Sequence, residues 1–286
     1  MNNTAPLVSI CIPVYNAAKY IEQTVNCFLS QTYENIEIII QDDYSADGTW
    51  EILNNLFSQQ SKVKLFRNEK NLGIGPNWNN VYDKATGEYI VIANADDIHE
   101  NTFIEKGVEK LSDSNIDFIS FKYKMLFEKT SITKYTLKNE FIKSGYIENA
   151  FEKIAFENPF HIIFTIFRKQ KLDEIKLNGK LFLDTQVCDA ELMLRYAENR
   201  TLYYCDEVIG YYRIHETNNS TIPLGELKSY YNDVLPIWHS KLSKKFGFKY
   251  RKGILIGAIF YIKSTIKGRS PWNYKLFSNM VRFATI

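Results

Sequence analysis

Apolar runs and amphipathic stretches alternate through the first half of the chain. Val8 to Val14 is a nearly unbroken apolar segment, and Ile36 to Ile40 is a second. Short runs bounded by turn residues read as strands buried on both faces. Between them, Ala17 to Leu29 places Ile21, Val25, Phe28 and Leu29 on one helical face. Further strands are predicted at Val63 to Phe66, Tyr89 to Ala93 and Asp117 to Phe121. A helix is expected from about Thr49. Another follows the turn Asn71-Leu72-Gly73-Ile74-Gly75-Pro76, with Gly87 closing it before the strand at Tyr89. This alternation implies a Rossmann-like α/β fold, a mainly parallel sheet with helices on both faces.

The second half is less regular. Lys122 to Tyr146 mixes aromatics with Lys and reads as a hairpin or a covering loop. Phe160 to Phe167 is a strand candidate, and Asp189 to Glu198 a helix with Leu192, Met193 and Tyr196 inward. Leu202 to Tyr204 and Val208 to Tyr212 predict two more strands. After Asn219 the chain turns to three helix-like stretches rich in Lys and aromatics. The expected division is therefore an α/β domain over 1–220 and a helical region over 221–286.

Composition narrows the class. A chain of 286 residues can bury a large core, and 45% hydrophobic with 24% charged residues is ordinary for a soluble protein. A net charge of +2 argues against a nucleic-acid partner. Cys11, Cys27, Cys188 and Cys205 are far apart and form no CxxC pair, which fits a reducing cytoplasm. The four His residues lack zinc-ligand spacing. No signal peptide is visible after Met1, and the apolar run Gly253–Ile262 is shorter than the roughly 20 residues that span a bilayer. The expected location is the cytoplasm, with the inner face of the cell membrane as a further option. Lys241, Lys244, Lys245, Lys249, Arg251, Lys252, Lys263, Lys267 and Arg269 are interleaved with Phe246, Phe248 and Tyr250. That composition suits peripheral contact with an anionic membrane. A homo-oligomer contact, or a helix packed on the α/β domain, are the alternatives.

The chemistry concentrates at strand ends. Asn94-Ala95-Asp96-Asp97 follows the apolar run at Tyr89. Ligands of open α/β sheets bind beyond the carboxyl ends of the strands. Two Asp side chains there are hard oxygen ligands suited to Mg²⁺ or Mn²⁺, which could hold a diphosphate. A solvated turn is the alternative for an acidic pair taken alone.

Six motifs stand in order along the chain. They are Ser9-Ile10-Cys11-Ile12-Pro13-Val14-Tyr15-Asn16, then Asp42-Asp43-Tyr44-Ser45-Ala46-Asp47-Gly48-Thr49, then Asn71 through Gly87-Glu88-Tyr89. Asn94-Ala95-Asp96-Asp97, Cys188-Asp189-Ala190-Glu191-Leu192 and Tyr212-Arg213-Ile214-His215 complete the set. Taken in this order, they resemble glycosyltransferase family 2, inverting nucleotide-sugar enzymes with the GT-A fold. The resemblance runs from about Val8 to about Ser220. It implies a nucleotide-binding half over about 1–122 and an acceptor-binding half over about 123–220. The donor would be a UDP-sugar or dTDP-sugar, and the acceptor a glycan or lipid-linked glycan of a surface polysaccharide. Pro13, Tyr15, Asn16, Asn71, Asn94, Ala95 and Arg213 would line the nucleotide site. One of Asp42 and Asp43 would accept the imide N–H of the base. Asp96, with Asp97 and His215, would hold the metal. Asp189 would be the catalytic base, with an N-terminal helix cap as its alternative.

Two positions depart from the family pattern. Asn94 stands where Asp is usual and Cys188 where Glu is usual. They leave open a non-catalytic nucleotide-sugar or glycan-binding module on the same scaffold. A nucleotidyltransferase would instead carry a Gly-rich, basic loop after the first strand, which Pro13-Val14-Tyr15-Asn16 is not.

Overall fold

The structure is a computed structural model, and it describes residues 5–135, 140–156, 159–216 and 234–266. The chain forms two compact units. One comprises Met1–Asp184 and Cys188–His215; the other comprises Thr185–Val187 and Glu216–Ile286.

The first unit is built from β1 (Val8–Val14), α1 (Ile21–Leu29), β2 (Ile36–Asp42), α2 (Thr49–Phe57), β3 (Val63–Arg67), α3 (Ile74–Tyr82) and β4 (Tyr89–Ile92). There follow β5 (Ile98–His99), α4 (Phe103–Leu111), β6 (Phe118–Phe127), β7 (Ile132–Tyr135), β8 (Gly145–Tyr146) and α5 (Ala150–Phe156). β9 (Thr165–Arg168), α6 (Lys169–Asp173), α7 (Cys188–Ala197) and β10 (Leu202–Ile214) complete it. Among the described residues the strands form one sheet in the order β3-β2-β1-β4-β9-β6-β10-β5, with β7 on β6 and β8 on β10.

β1, β2 and β4 are buried along their whole length. They pair in parallel, as unbroken apolar runs predict. The order 3-2-1-4 reverses direction between β1 and β4, which opens a crevice at their carboxyl ends. Pro13 fits inside β1 because β4 stops at Ile92, opposite Cys11, so Pro13 lies beyond the last rung of that pairing.

The sheet is mixed where the apolar pattern suggested parallel strands. β9 runs antiparallel to both β4 and β6, preceded by a short 3₁₀ turn over Ile162–Phe164. The two strands expected after Leu202 are one, β10, whose pairing with β6 slips twice between Cys205 and Tyr211. The polar residues Asp206 and Glu207 sit at the first irregularity and masked the continuity. Lys122 to Tyr146 does begin as a hairpin, β6 and β7.

Gly87 acts by close approach and does not end a helix. A Cβ there would lie 2.7 Å from the Leu7 carbonyl oxygen and the Ser9 nitrogen. Beside it, the buried Glu37 accepts hydrogen bonds from Ser9 Oγ (2.5 Å), Lys64 Nζ (2.6 Å) and Thr86 N and Oγ1 (both 2.8 Å). This cluster ties the amino ends of β1, β2, β3 and β4, opposite the crevice.

In the second unit, α8 (Leu235–Ile266) is two helical segments joined at Gly247, whose φ of 49° and ψ of −121° break the helix. His239 Nδ1 and the Tyr250 hydroxyl meet across that kink at 2.9 Å. Among the described residues no helix is long and apolar enough to cross a membrane. Lys267, Arg269 and the side chains of Lys249, Arg251 and Lys263 lie outside the described residues, as do most side chains of Gly253–Ile262.

Candidate active site

Tyr15 and Asn16 leave β1 at the crevice. Tyr15 is 53% exposed there. Asn16 adopts a left-handed conformation with φ of 51°. Its Oδ1 accepts from Ala46 N and its own N–H donates to Ser45 Oγ, which locks the end of β1 to the loop after β2. Asp47 reinforces this join: it accepts from Ala18 N, Thr49 N and Thr49 Oγ1.

Asp42 and Asp43 end β2 and are both buried. Asp42 accepts from Ser45 N and is ion-paired with Arg67 Nε at 3.0 Å. Burial pushes its carboxyl up from the ordinary value, with the Ser45 bonds and Arg67 acting against that. Asp43 Oδ1 accepts from Asn68 Nδ2 and Leu72 N, and its Oδ2 accepts from Gly73 N. Asp43 thereby holds the turn that opens α3. Asn71 is exposed in that turn, its Oδ1 accepting from Gly73 N.

Asn94, Ala95, Asp96 and Asp97 follow β4 at the same mouth. Thr24 Oγ1 on α1 bonds the carbonyls of Ala95 (3.0 Å) and Asp97 (3.1 Å), so the turn is fastened from below. The two carboxylates then part company. Asp97 is fully buried and accepts from Arg213 N (2.7 Å) and Asn94 Nδ2 (3.0 Å). Burial, with the adjacent Asp96 second, pushes the Asp97 carboxyl well above the ordinary carboxylate range. The Asp96 side chain stays 22% exposed and meets His215 Nε2 at 2.9 Å through Oδ2.

Arg213 differs from its expected place against a diphosphate. It is 8% exposed, and its Nε donates to the Asp96 carbonyl at 2.7 Å while NH2 donates to Gln23 Oε1 at 2.6 Å. It clamps the backbone of the Asp motif to α1 and β10. Asp97 likewise differs from an open metal ligand, since its side chain is fully buried and each oxygen accepts a protein N–H.

Asp96 supplies a partly exposed oxygen donor, and His215, buried beside it, a ring nitrogen donor. Among the described residues no group of three His, Cys, Asp or Glu side chains could hold an ion unaided. The donor set fits Mn²⁺ or Mg²⁺ shared with a diphosphate, because such ions keep water and take phosphate oxygens for most of their shell.

Asp189 lies in the first turn of α7 and is half-buried. Cys188 beside it is buried, and burial raises its thiol far above the ordinary value, so it supplies no thiolate. Glu191 is fully buried and paired with Arg195 NH2 at 2.8 Å, which keeps it structural. The segment leading into α7 is docked on α3. Asn79 Oδ1 accepts from Leu181 N (2.9 Å) and Phe182 N (3.0 Å), and its Nδ2 donates to the Phe182 carbonyl (2.7 Å). A Cβ on Gly75 would lie 2.3 Å from the Leu183 carbonyl oxygen. These contacts bring the approach to Asp189 against the first turn of α3, which Asp43 also holds.

Sequence patterns left out Tyr20, Gln23, Arg67, Asn68 and Glu128. Arg67 lies against the rings of Tyr44 and Trp50 as well as Asp42. Asn68 joins Asp43 to Gln41, Asn77 and Asn80. Tyr44, whose ring Arg67 covers, is 52% exposed and has a φ of 63°, a left-handed conformation uncommon for an aromatic.

Residues 9–175 match the sequence profile described as Glycosyl transferase family 2. The chain is 43% identical to an uncharacterised glycosyltransferase of Haemophilus influenzae over 101 residues, 35% of this chain and 40% of that protein. It is 35% identical to glycosyltransferase GlyG of Streptococcus pneumoniae over 117 residues, 41% of this chain and 39% of that one. It thus spans about two fifths of the length of these two relatives. Among solved structures, S. aureus TarS 1-349 in complex with UDP-GlcNAc aligns with a TM-score of 0.66 and 17% identity, covering 83% of this chain and 66% of TarS. Mannosyltransferase PcManGT from Pyrobaculum calidifontis, in complex with GDP-Man and Mn²⁺, aligns with a TM-score of 0.62 and 15% identity, covering 99% and 87%. The fold is that of the GT-A transferases, and with the profile covering more than half of its length, the chain belongs to glycosyl transferase family 2.

Proposed function

We propose that this chain is an inverting glycosyltransferase that moves a hexose from a UDP-sugar, or a dTDP-sugar, to a hydroxyl of a glycan or lipid-linked glycan. The observation that carries the reading is the Asp96–His215 pair at 2.9 Å, with the Asp96 side chain 22% exposed just beyond the carboxyl end of β4. The UDP-GlcNAc complex of TarS and the GDP-Man and Mn²⁺ complex of PcManGT support a nucleotide-sugar donor.

In this reading Tyr15 carries the base on its ring face, a platform any base can use. Asp43 Oδ2 accepts one bond, from Gly73 N, and its second lone pair takes the imide N–H of uracil or thymine. Asp96 and His215 would hold Mn²⁺ or Mg²⁺, which would offset charge on the diphosphate. Arg213 keeps the Asp96 backbone in place. Asp189 takes the proton of the acceptor hydroxyl as that oxygen bonds to the anomeric carbon. The bond from that carbon to the diphosphate oxygen breaks, and the nucleoside diphosphate leaves with the electron pair. One displacement inverts the anomeric centre.

The test is a panel of nucleotide sugars incubated with the protein, with and without Mn²⁺, reading release of nucleoside diphosphate. Slow hydrolysis of one UDP- or dTDP-sugar, dependent on Mn²⁺, is the expected result. Binding without any turnover in the presence of candidate acceptors would assign a binding module. No interaction with any nucleotide sugar would overturn the reading.

A further inference from the structure

Tyr20 caps the amino end of α1, yet its side chain belongs to the site. Its ring stacks on the His215 imidazole, with centroids 4.6 Å apart and planes 29° from parallel. The Arg213 guanidinium lies 5.0 Å from the centroid of the same ring. The Tyr20 hydroxyl donates to Glu128 Oε2 at 3.0 Å, and Glu128 Oε1 is paired with Lys19 at 2.8 Å. Glu128 follows β6, and its backbone N–H donates to the Ile214 carbonyl at 3.0 Å. One tyrosine therefore joins α1, the end of β6 and the end of β10 through Glu128, Arg213 and His215.

We propose that Tyr20 is a positioning residue that sets the imidazole plane of His215, and through it the approach of His215 to Asp96. The inference rests on the reading of Asp96 and His215 as the pair facing cation and diphosphate. The contact with Asp96 Oδ2 fixes one ring nitrogen. The stacked aromatic face opposes rotation of the imidazole out of the plane that makes this contact. The hydroxyl bond to Glu128 in turn fixes the tyrosine. Groups that orient a ligand residue without touching the ion are worth roughly 10- to 100-fold in affinity. Stacking carries the effect, so Phe should serve and Leu should not.

The experiment compares Tyr20→Phe, Tyr20→Leu and His215→Ala, and Tyr20→Leu in the His215→Ala background. UDP affinity is measured by calorimetry with and without Mn²⁺. The wild type is expected to bind UDP more tightly with Mn²⁺. Tyr20→Leu should lose about tenfold of the Mn²⁺-dependent affinity, with metal-free affinity unchanged, and Tyr20→Phe should stay within about threefold of wild type. In the His215→Ala background Tyr20→Leu should cost nothing further. The His215 ring-proton resonances, shifted upfield by the stacked tyrosine, should move downfield in Tyr20→Leu and hold in Tyr20→Phe. Full Mn²⁺-dependent affinity in a folded Tyr20→Leu protein would overturn the proposal, as would an equal loss in the His215→Ala background. A wild type whose UDP affinity ignores Mn²⁺ would overturn the reading of the pair and this inference with it, before any variant is measured.

Discussion

Asp96 keeps 22% of its side chain exposed, while Asp97 next to it keeps none. The sequence reading puts Asp96 first as the metal ligand and Asp97 second, and tertiary contacts separate them physically, burying Asp97 against Arg213 N and Asn94 Nδ2. The same holds for Tyr20, Gln23 and Glu128, whose partners are 195, 190 and 108 residues away and leave no local pattern. Asp189 is different, because its place in the motif and at the start of α7 was legible. For Asp189→Asn the account expects a stable protein with UDP affinity preserved, since Asn caps a helix about as well as Asp. Transfer should fall by roughly 10²–10⁴-fold, the usual worth of a general base. Normal transfer by a folded Asp189→Asn protein would remove it from the mechanism.

At the scale of elements, β1, β2 and β4 were readable because burial on both faces demands unbroken apolar runs. Strand direction was not, because an apolar run is the same read either way, and β9 turned out antiparallel. α1 starts at Ile21, later than its helical pattern, because Asn16 to Tyr20 are spent on the join to the β2 loop and on the site. Two predictions belong here. Asn79→Ala removes the side chain that satisfies Leu181 N, Phe182 N and the Phe182 carbonyl. Leaving these buried groups unpaired should cost about 2–4 kcal/mol, read as a lower urea midpoint at unchanged m-value. Transfer should suffer more than UDP binding, since the loosened segment leads to Asp189.

Glu37 supplies the second. Burial alone would raise its carboxyl, but the bonds from Lys64, Ser9 and Thr86 outweigh burial and hold it at about 2, below the ordinary 4.5. A depressed acid stabilises the fold above its unfolded value and loses that contribution as pH falls toward the folded one. Glu37→Gln should therefore be less stable than wild type at pH 7, by about 2–3 kcal/mol. The gap should shrink as pH falls from 4.5 toward 2. Urea midpoints of both proteins at pH 7 and pH 3 check this, and a gap that widens in acid would contradict it.

On the scale of the whole molecule, the family profile ends at residue 175, before α7 and the Arg213–His215 strand end. The fold brings the Arg213–His215 strand end back to the mouth that the profile region builds. β10 pairs with β6, and Arg213 N and His215 Nε2 reach Asp97 and Asp96 across more than a hundred residues of sequence. Composition could not show this closure, although the motif order anticipated it. The central claim is that this assembled mouth binds a nucleoside diphosphate together with a divalent ion. The most direct measurement is a calorimetric titration of UDP into wild type and Asp96→Ala, each with and without Mn²⁺. The account predicts that Mn²⁺ tightens UDP binding to wild type at least about tenfold and leaves Asp96→Ala unchanged. Equal affinity with and without Mn²⁺ in the wild type, or a full Mn²⁺ effect in Asp96→Ala, would contradict it.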